Sequence, residues 1–134
     1  MELYHVCFAV QDLDAAMSDL SATAGARWRQ PRTGTLGDWT YRIVFSADAP
    51  HFELIEGPPG SPWDSTAGPR FHHLGFWSEN MDLDRTALAG VGSTVFDACP
   101  LGRPFSYHRI DSIGAHVELV DRSAESGFRT TWDL

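Results

Sequence analysis

The clearest hydrophobic pattern in the chain lies in residues 13–24, where apolar positions recur with the spacing of one helix face. These positions, at i, i+3, i+4, i+7 and i+11, are Leu13, Ala16, Met17, Leu20 and Ala24. Asp12 before them is a favourable N-cap, and Gly25 after them is a favourable C-terminal stop. The apolar-rich segment 4–10 predicts a strand that leads into this helix.

Three short strands are predicted after this helix, because apolar segments alternate there with turn-forming residues. They cover about 27–31, 39–46 and 50–56, with turns at 33–37 and 47–50. The second half of the chain predicts the same order of a strand, a helix and three strands. Its elements cover about 71–78, 80–90, 92–97, 105–110 and 115–120.

The two halves also match residue by residue, which indicates an internal repeat. Residues 5–14 resemble residues 73–82, and residues 51–56 resemble residues 116–121. We therefore predict an α+β fold in which one domain, residues 1–134, contains two βαβββ modules. In order along the chain the predicted parts are module one (3–56), a Gly- and Pro-rich linker (57–70), module two (71–121) and a C-terminal tail (122–134).

Length and charge exclude several classes of function. With 134 residues, 43% of them apolar, the chain is long enough for one domain with its own core. It carries 18 acidic residues and no lysine, and its formal charge is −8. Without lysine there is no Schiff-base chemistry and no phosphate-binding loop that ends in lysine. The acidic balance argues against nucleic acid or an anionic membrane as a partner.

Cysteine usage and hydropathy predict a cytoplasmic protein. Cys7 and Cys99 are too few for a disulfide framework, which favours a reducing compartment. The N-terminal residues lack the pattern of a signal peptide. The chain also contains no uncharged apolar run near the roughly 18 residues that a membrane span needs.

Four metal-ligating side chains occupy equivalent positions in the two halves: His5, Glu53, His73 and Glu118. Side chains alternate along a strand, so His51 shares a face with Glu53, and His116 shares a face with Glu118. Two imidazoles and two carboxylates suit a divalent transition ion. Any one of these residues alone is more often an ordinary polar residue, but four in symmetric positions favour a shared site. His72 is predicted to point away from the face of His73.

Several stretches of the chain resemble the vicinal oxygen chelate superfamily of glyoxalases, bleomycin resistance proteins and extradiol dioxygenases, especially its glyoxalase I-like and methylmalonyl-CoA epimerase-like branches. These stretches are His5 with 10–13, 52–57, 73–76 and 111–119. The resemblance implies that the two modules form a cup-shaped, curved mixed sheet flanked by helices. It also implies that His5, Glu53, His73 and Glu118 bind one divalent ion, namely Zn, Ni, Co or Mn.

By the same resemblance, the expected activity is that of a metal-dependent isomerase or carbon–sulfur lyase. Glu118 would remove a proton next to a carbonyl of a small substrate with adjacent oxygens, and Glu53 would return it from the other side. Related glyoxalases generally hold glutathione with an arginine and an asparagine at positions where this chain has Ala9 and Gly57. A glutathione substrate is therefore disfavoured.

Two other functions remain open on the sequence alone. His5, His73 and Glu118 form a two-histidine, one-carboxylate set suited to Fe(II), as in an extradiol-type dioxygenase, although Glu53 would occupy a position needed for oxygen. A non-catalytic protein that binds an antibiotic or another small molecule is the third hypothesis. Its known relatives typically lack the full ligand set.

Further side chains are candidates for orienting the ligands or lining the pocket: His51, His116 and Tyr107. For the two histidines, a plain structural role on the strand is equally consistent with the sequence. The superfamily and the exposed edges of two short modules also predict a homodimer.

Overall fold

The computed structural model describes residues 1–134, with an eight-stranded sheet at its centre and three α-helices. The strands are β1 (Glu2–Ala9), β2 (Arg32–Leu36), β3 (Trp39–Phe45), β4 (His51–Glu56), β5 (Arg70–Ser78), β6 (Gly92–Asp97), β7 (Phe105–Ile110) and β8 (Ala115–Asp121). The helices are α1 (Leu13–Ala24), α2 (Met81–Ala89) and α3 (Glu125–Trp132), with short 3-10 turns at Cys99–Leu101 and Arg122–Ala124.

The order of strands across the sheet is β2-β3-β4-β1-β5-β8-β7-β6, which is symmetric about the contact between β1 and β5. These two central strands are antiparallel, while β1 is parallel to β4 and β5 is parallel to β8. The element order of a strand, a helix and three strands occurs twice. The predicted α+β class with a curled mixed sheet is confirmed.

Both long helices begin and end as their sequences predict. The side chain of Asp12 accepts a hydrogen bond from the backbone N–H of Ala15, and Asn80 caps α2 in the same way. Gly25 ends α1 in the left-handed conformation, with φ of 67°. In addition, the carboxylate of Glu56 accepts from the N–H of Leu13 at 2.7 Å, which ties the start of α1 to β4.

Each face of the sheet buries different residues. On one face α1 packs against Val44 and Leu54, and α2 packs against Leu119. Burying one such aliphatic side chain contributes about 1.5–3 kcal/mol. On the opposite face the alternate residues of the same strands, among them Glu53 and Glu118, line a cavity. Strand alternation therefore separates a face covered by α1 and α2 from the face that bears the cavity.

Two β-bulges interrupt the central pair of strands. The register between β1 and β5 shifts between Leu3 and His5, and again between Cys7 and Phe8. Tyr4 is the unpaired residue of the first bulge, and His72 is the unpaired residue of the second. A bulge redirects a side chain from strict alternation. Each bulge therefore turns the residue before a central histidine toward that histidine.

The expected strand at 27–31 and the expected turn at 33–37 are wrong. Residues 32–36 form β2, and Trp28 makes only an isolated bridge to Ser46. Gly34, which suggested a turn, lies opposite Tyr41 on β3, where an added Cβ would be 2.6 Å from the tyrosine Cζ. The glycine therefore makes room for a large ring across the strands.

Residues 122–134, expected to form a tail, contain α3. Phe128 and Trp132, four residues apart on this helix, both pack on the ring of Phe45. None of the helices has the length and apolar character needed to cross a membrane.

Candidate metal centre and adjoining cavity

Four buried side chains from the four central strands meet at one point: His5, Glu53, His73 and Glu118. The Nε2 atoms of His5 and His73 are 2.8 Å apart. Glu53 Oε2 lies 2.8 Å from His5 Nε2, and Glu118 Oε2 lies 3.2 Å and 3.3 Å from the Nε2 atoms of His5 and His73. One ligand atom from each residue lies within 4.8 Å of all the others.

This donor set fits a divalent transition ion. Ligand atoms bound to one such ion at about 2.0–2.2 Å are themselves roughly 3 Å apart, close to the separations between these four side chains. Imidazole and carboxylate are also the ligand types that these ions accept. Without an ion, only protons on the neighbouring imidazoles can offset the charge of the two carboxylates. A cation is therefore the natural occupant of the point where the four atoms meet.

Charge in the cluster changes the protonation of its members. Burial disfavours a charged His5, but the carboxylates of Glu53 and Glu118 outweigh burial and raise the pKa of His5 to about 9. Burial likewise disfavours a charged Glu118, but His73 and His5 outweigh it and lower the pKa of Glu118 to about 2. The metal-free cluster is therefore held together as a buried ion pair.

A chain of hydrogen bonds fixes the tautomer of His73. His72 Nε2 is 2.7 Å from the carbonyl oxygen of Pro62, and it must donate because a carbonyl only accepts. Burial lowers the pKa of His72 to about 3, so this ring is neutral and its Nδ1 is an acceptor. His73 Nδ1, 2.7 Å from His72 Nδ1, is therefore the donor. In the neutral form of His73 the lone pair is therefore left on Nε2, where the four ligand atoms meet.

His5 is held mainly by shape. An added Cβ at Gly75, its cross-strand partner, would overlap the imidazole ring. Tyr4 packs on the ring edge-on at 4.3 Å, and Phe45 does so at 5.6 Å. The Nδ1 atom of His5 is buried and has no hydrogen-bond partner. On the Nδ1 side of each ring, steric contacts therefore orient His5, whereas hydrogen bonds orient His73.

A cavity of about 390 Å³ adjoins the four side chains. Glu53 and Glu118 line it, whereas His5 and His73 lie behind them. Nine of the 21 lining residues are aromatic, and they are Tyr4, Tyr41, Phe45, Trp63, Trp77, Phe105, Tyr107, Phe128 and Trp132. Arg32 and Arg103 also line it. The carboxylates therefore face the space that a substrate would occupy.

Of the three other predicted site residues, Tyr107 lines the cavity, and His51 and His116 do not. Tyr107 lines the cavity, its ring is 4.9 Å from that of His73, and its hydroxyl accepts from Trp63 Nε1 at 2.8 Å. His51 and His116 are not among the lining residues. His51 bonds the carbonyl oxygen of Ser46, and His116 is only half-buried.

The expectation that His72 points away from His73 is wrong, because the bulge places both rings on one side of β5. The signal in the sequence that could have indicated this contact is the pair of adjacent histidines, His72 and His73. α3 was also missed, although its apolar residues Phe128 and Trp132 have helical spacing.

The chain belongs to the Glyoxalase/Bleomycin resistance protein/Dioxygenase superfamily, because the sequence profile of that superfamily matches residues 4–107. This confirms the resemblance inferred from the sequence. No curated protein matches the chain in sequence.

Solved structures with the same fold include two epimerases. A variant methylmalonyl-CoA epimerase of Streptomyces coelicolor, in complex with 2-nitronate-propionyl-CoA, is 20% identical with a TM-score of 0.67, covering 92% of this chain and 99% of that one. The methylmalonyl-CoA epimerase of Mycobacterium tuberculosis is 16% identical with a TM-score of 0.65, covering 94% and 91%.

A third similar structure is a mutant 4-hydroxymandelate synthase of Streptomyces coelicolor. It is 16% identical with a TM-score of 0.62, covering 90% of this chain but only 47% of that one. At these identities the three structures establish a shared fold.

Proposed function

We propose that this protein is a metal-dependent isomerase that removes a proton next to a carbonyl group of a small, chelating substrate. The observation that carries this proposal is that the histidines and the glutamates of the cluster lie at different positions relative to the cavity. His5 and His73 are fully buried behind the site, while the carboxylates of Glu53 and Glu118 line an adjoining cavity. Two carboxylates that face one substrate suit the transfer of a proton.

The metal would be held by His5, Glu53, His73 and Glu118. A divalent ion there would polarise the substrate carbonyl and stabilise the negative charge that develops on its oxygen. The neutral His72 ring keeps the proton of His73 on Nδ1 and leaves Nε2 to the ion. His5 and His73 would therefore bind the ion and fix its position, and neither transfers a proton to the substrate.

Proton transfer falls to the two glutamates. We assign Glu118 as the base that removes the proton and Glu53 as the group that returns it. A well-placed general base contributes roughly 10²–10⁴-fold to a rate. Tyr107 and Trp63, joined by their hydrogen bond, form the cavity wall beside His73. Return to the opposite face of the same carbon gives an epimerisation, and return to a neighbouring atom gives a 1,2-shift.

The test combines metal analysis with isotope exchange. Protein loaded in turn with Zn²⁺, Ni²⁺, Co²⁺ or Mn²⁺ is incubated in D₂O with racemic methylmalonyl-CoA or phenylpyruvate. NMR then follows deuterium at the carbon next to the carbonyl, relative to a blank without protein. We expect exchange above the blank with at least one pair of metal and substrate, and loss of that exchange in Glu118→Gln.

Glu79→Gln is the matched control, because Glu79 is 74% exposed and does not line the cavity. It should keep full exchange. If Glu118→Gln also keeps full exchange, the assignment of the base is wrong.

A dioxygenase is the second candidate. The subset His5, His73 and Glu118 is a two-histidine, one-carboxylate set with ligand atoms within 4.8 Å of one another. Oxygen uptake by the Fe(II)-loaded protein with catechol or an aromatic α-keto acid, without isotope exchange under nitrogen, would favour this candidate over the isomerase.

A further inference from the structure

Arginine pairing distinguishes the cavity from the rest of the surface. The chain has ten arginines among 18 acidic residues, and seven of the ten lie within 4.0 Å of a carboxylate. The three others are Arg32, Arg70 and Arg103. Two of these, Arg32 and Arg103, line the cavity. In a protein with a formal charge of −8, cations without an acidic partner therefore concentrate at one place.

Arg103 is free to bind an anion. Its guanidinium donates one hydrogen bond, from Nη2 to the hydroxyl of Tyr41 at 3.2 Å, and the residue is exposed at the edge of the cavity. Guanidinium has five donors in a planar fork that matches a carboxylate. Arg32 differs, because it donates to the carbonyl oxygen of Thr131 and stacks over Trp132. Arg32 therefore adds positive charge while it holds α3 against β2.

The rest of the cavity defines the other parts of a ligand. Glu53 and Glu118 mark the end where the metal centre lies. Between that end and Arg103 the wall is aromatic, with Tyr41, Trp63 and Tyr107 among its members. Aromatic rings offer a large apolar area and edge-to-face contacts to another ring. A fitting ligand thus has polar oxygens at one end, an apolar middle and an anionic group at the other.

We propose that the cavity binds a small aromatic carboxylic acid, with its ring among the tyrosines and tryptophans and its carboxylate on Arg103. The chelating end of this substrate class rests on the proposed function, but the contact with Arg103 does not require the metal. A volume of about 390 Å³ lies at the lower end of the roughly 300–1,000 Å³ of ligand pockets. A cavity of this size can enclose one substituted ring. The carboxylate of the ligand would then form the ion pair that Arg103 does not make within the protein.

The first test compares a charged probe with its neutral counterpart. The full chain, with and without Zn²⁺, is titrated calorimetrically with 3-phenylpropionate and 3-phenylpropionamide. Without metal we expect the acid to bind about tenfold more tightly, as for one charge-assisted pair. In Arg103→Gln this preference should fall to less than about twofold, and Arg103→Lys should keep part of it, since lysine retains the charge without the fork.

Arg27→Gln is the control, because it removes the same charge from an exposed residue far from the cavity lining. It should leave the preference unchanged. The proposal is wrong if the wild type does not prefer the acid, or if Arg103→Gln retains the preference. Tighter binding of propionyl-CoA than of 3-phenylpropionate, sensitive to the same substitution, would also overturn it in favour of a coenzyme A ester.

The Zn²⁺-loaded protein separates this inference from the proposed function. Benzohydroxamic acid carries two adjacent chelating oxygens and no carboxylate, so its binding reports the metal centre alone. If it fails to bind while 3-phenylpropionate still depends on Arg103, the metal centre is wrong and the anion site stands. If benzohydroxamic acid binds, its 4-(2-carboxyethyl) derivative is compared with it. If that derivative binds no more tightly than benzohydroxamic acid in the wild type or in any variant, the metal centre stands and the anion site is wrong.

Discussion

His5 and His73, the two histidines of the proposed metal centre, occupy equivalent places in the two halves of the sheet, but their rings are held differently at Nδ1. Each follows the unpaired residue of a bulge, which is Tyr4 before His5 and His72 before His73. His72 completes a hydrogen-bonded chain from His73 to a backbone carbonyl, whereas Tyr4 gives His5 only the edge of a ring. The same order of elements can thus place two histidines symmetrically while hydrogen bonds orient one ring at Nδ1 and packing orients the other.

Breaking the packing around His5 should have the largest effect. In Gly75→Ala the added methyl group overlaps the His5 ring, and the β1–β5 pair leaves little space for the ring to move. We expect a loss of about 1–3 kcal/mol in the free energy of unfolding, as for overpacking in a core. Zn²⁺ affinity, measured calorimetrically, should fall by at least about 100-fold.

Gly127→Ala is the control for this substitution, since an added Cβ there meets nothing within 4 Å and lies in α3. It should stabilise the protein by about 0.4–1 kcal/mol. Unchanged Zn²⁺ binding in Gly75→Ala would show that His5 can shift and still bind the ion.

The bulges also explain which parts of the site were predictable from sequence. The four residues of the proposed metal centre follow from repetition and strand alternation, because a period of two assigns Glu53 and Glu118 to one face without knowledge of partners. His72 does not follow, because its direction depends on the register between β1 and β5. Register is a property of two strands far apart in sequence, so the pattern within β5 cannot reveal it.

The same limit applies to β2 and α3. The glycine in β2 is a turn signal locally, and only the ring of Tyr41 across the sheet explains its presence in a strand. α3 has few apolar residues, and they contribute to the fold by packing against aromatic side chains of other elements, including Phe45. Features fixed within one element were predictable, and features fixed between elements were not.

Breaking the hydrogen-bonded chain behind His73 should have the second-largest effect. In His72→Phe the ring shape is roughly kept, but His73 Nδ1 loses its acceptor and its tautomer is no longer fixed. Loss of such a partner typically costs 10–100-fold in metal affinity, and we expect Zn²⁺ affinity to fall in that range.

Nitrogen-15 NMR of the metal-free protein provides a readout that packing alone would not change, because an ion on Nε2 would by itself keep the proton of His73 on Nδ1. The wild type should show His73 protonated at Nδ1. If His72→Phe shows the same tautomer and affinity, His72 does not position His73.

The free energy of unfolding of the metal-free protein should depend on pH with opposite signs for His5 in the first half and His72 in the second. The pKa of His5 is raised to about 9, so its stabilising charge is present below about 6.5 and is lost as the pH rises through 9. Burial lowers the pKa of His72 to about 3, so protonation of the unfolded chain destabilises the fold as the pH falls below about 6.5. Glu118, with a pKa of about 2, adds to the loss below about 4.5.

Urea unfolding without metal should therefore show maximal stability near pH 6.5. In His72→Phe the decline below pH 6.5 should weaken and the alkaline decline should remain. With saturating Zn²⁺ the alkaline decline should vanish, because binding requires His5 to release its proton. A metal-free protein whose stability rises from pH 6.5 to 9 would contradict the buried ion pair.

The smallest effect is expected at the position that corresponds to His72 in the other half. Tyr4 contacts His5 through its ring, and its hydroxyl makes no hydrogen bond to His5 Nδ1. Tyr4→Phe keeps the ring and its stacking on Trp77, which has a centroid distance of 3.9 Å. Zn²⁺ affinity should therefore change by less than about twofold, within the usual ±0.5 kcal/mol of a substitution that removes no specific contact. A tenfold loss would mean that the hydroxyl supports His5 as His72 supports His73, and the two halves would then differ in residue type but not in principle.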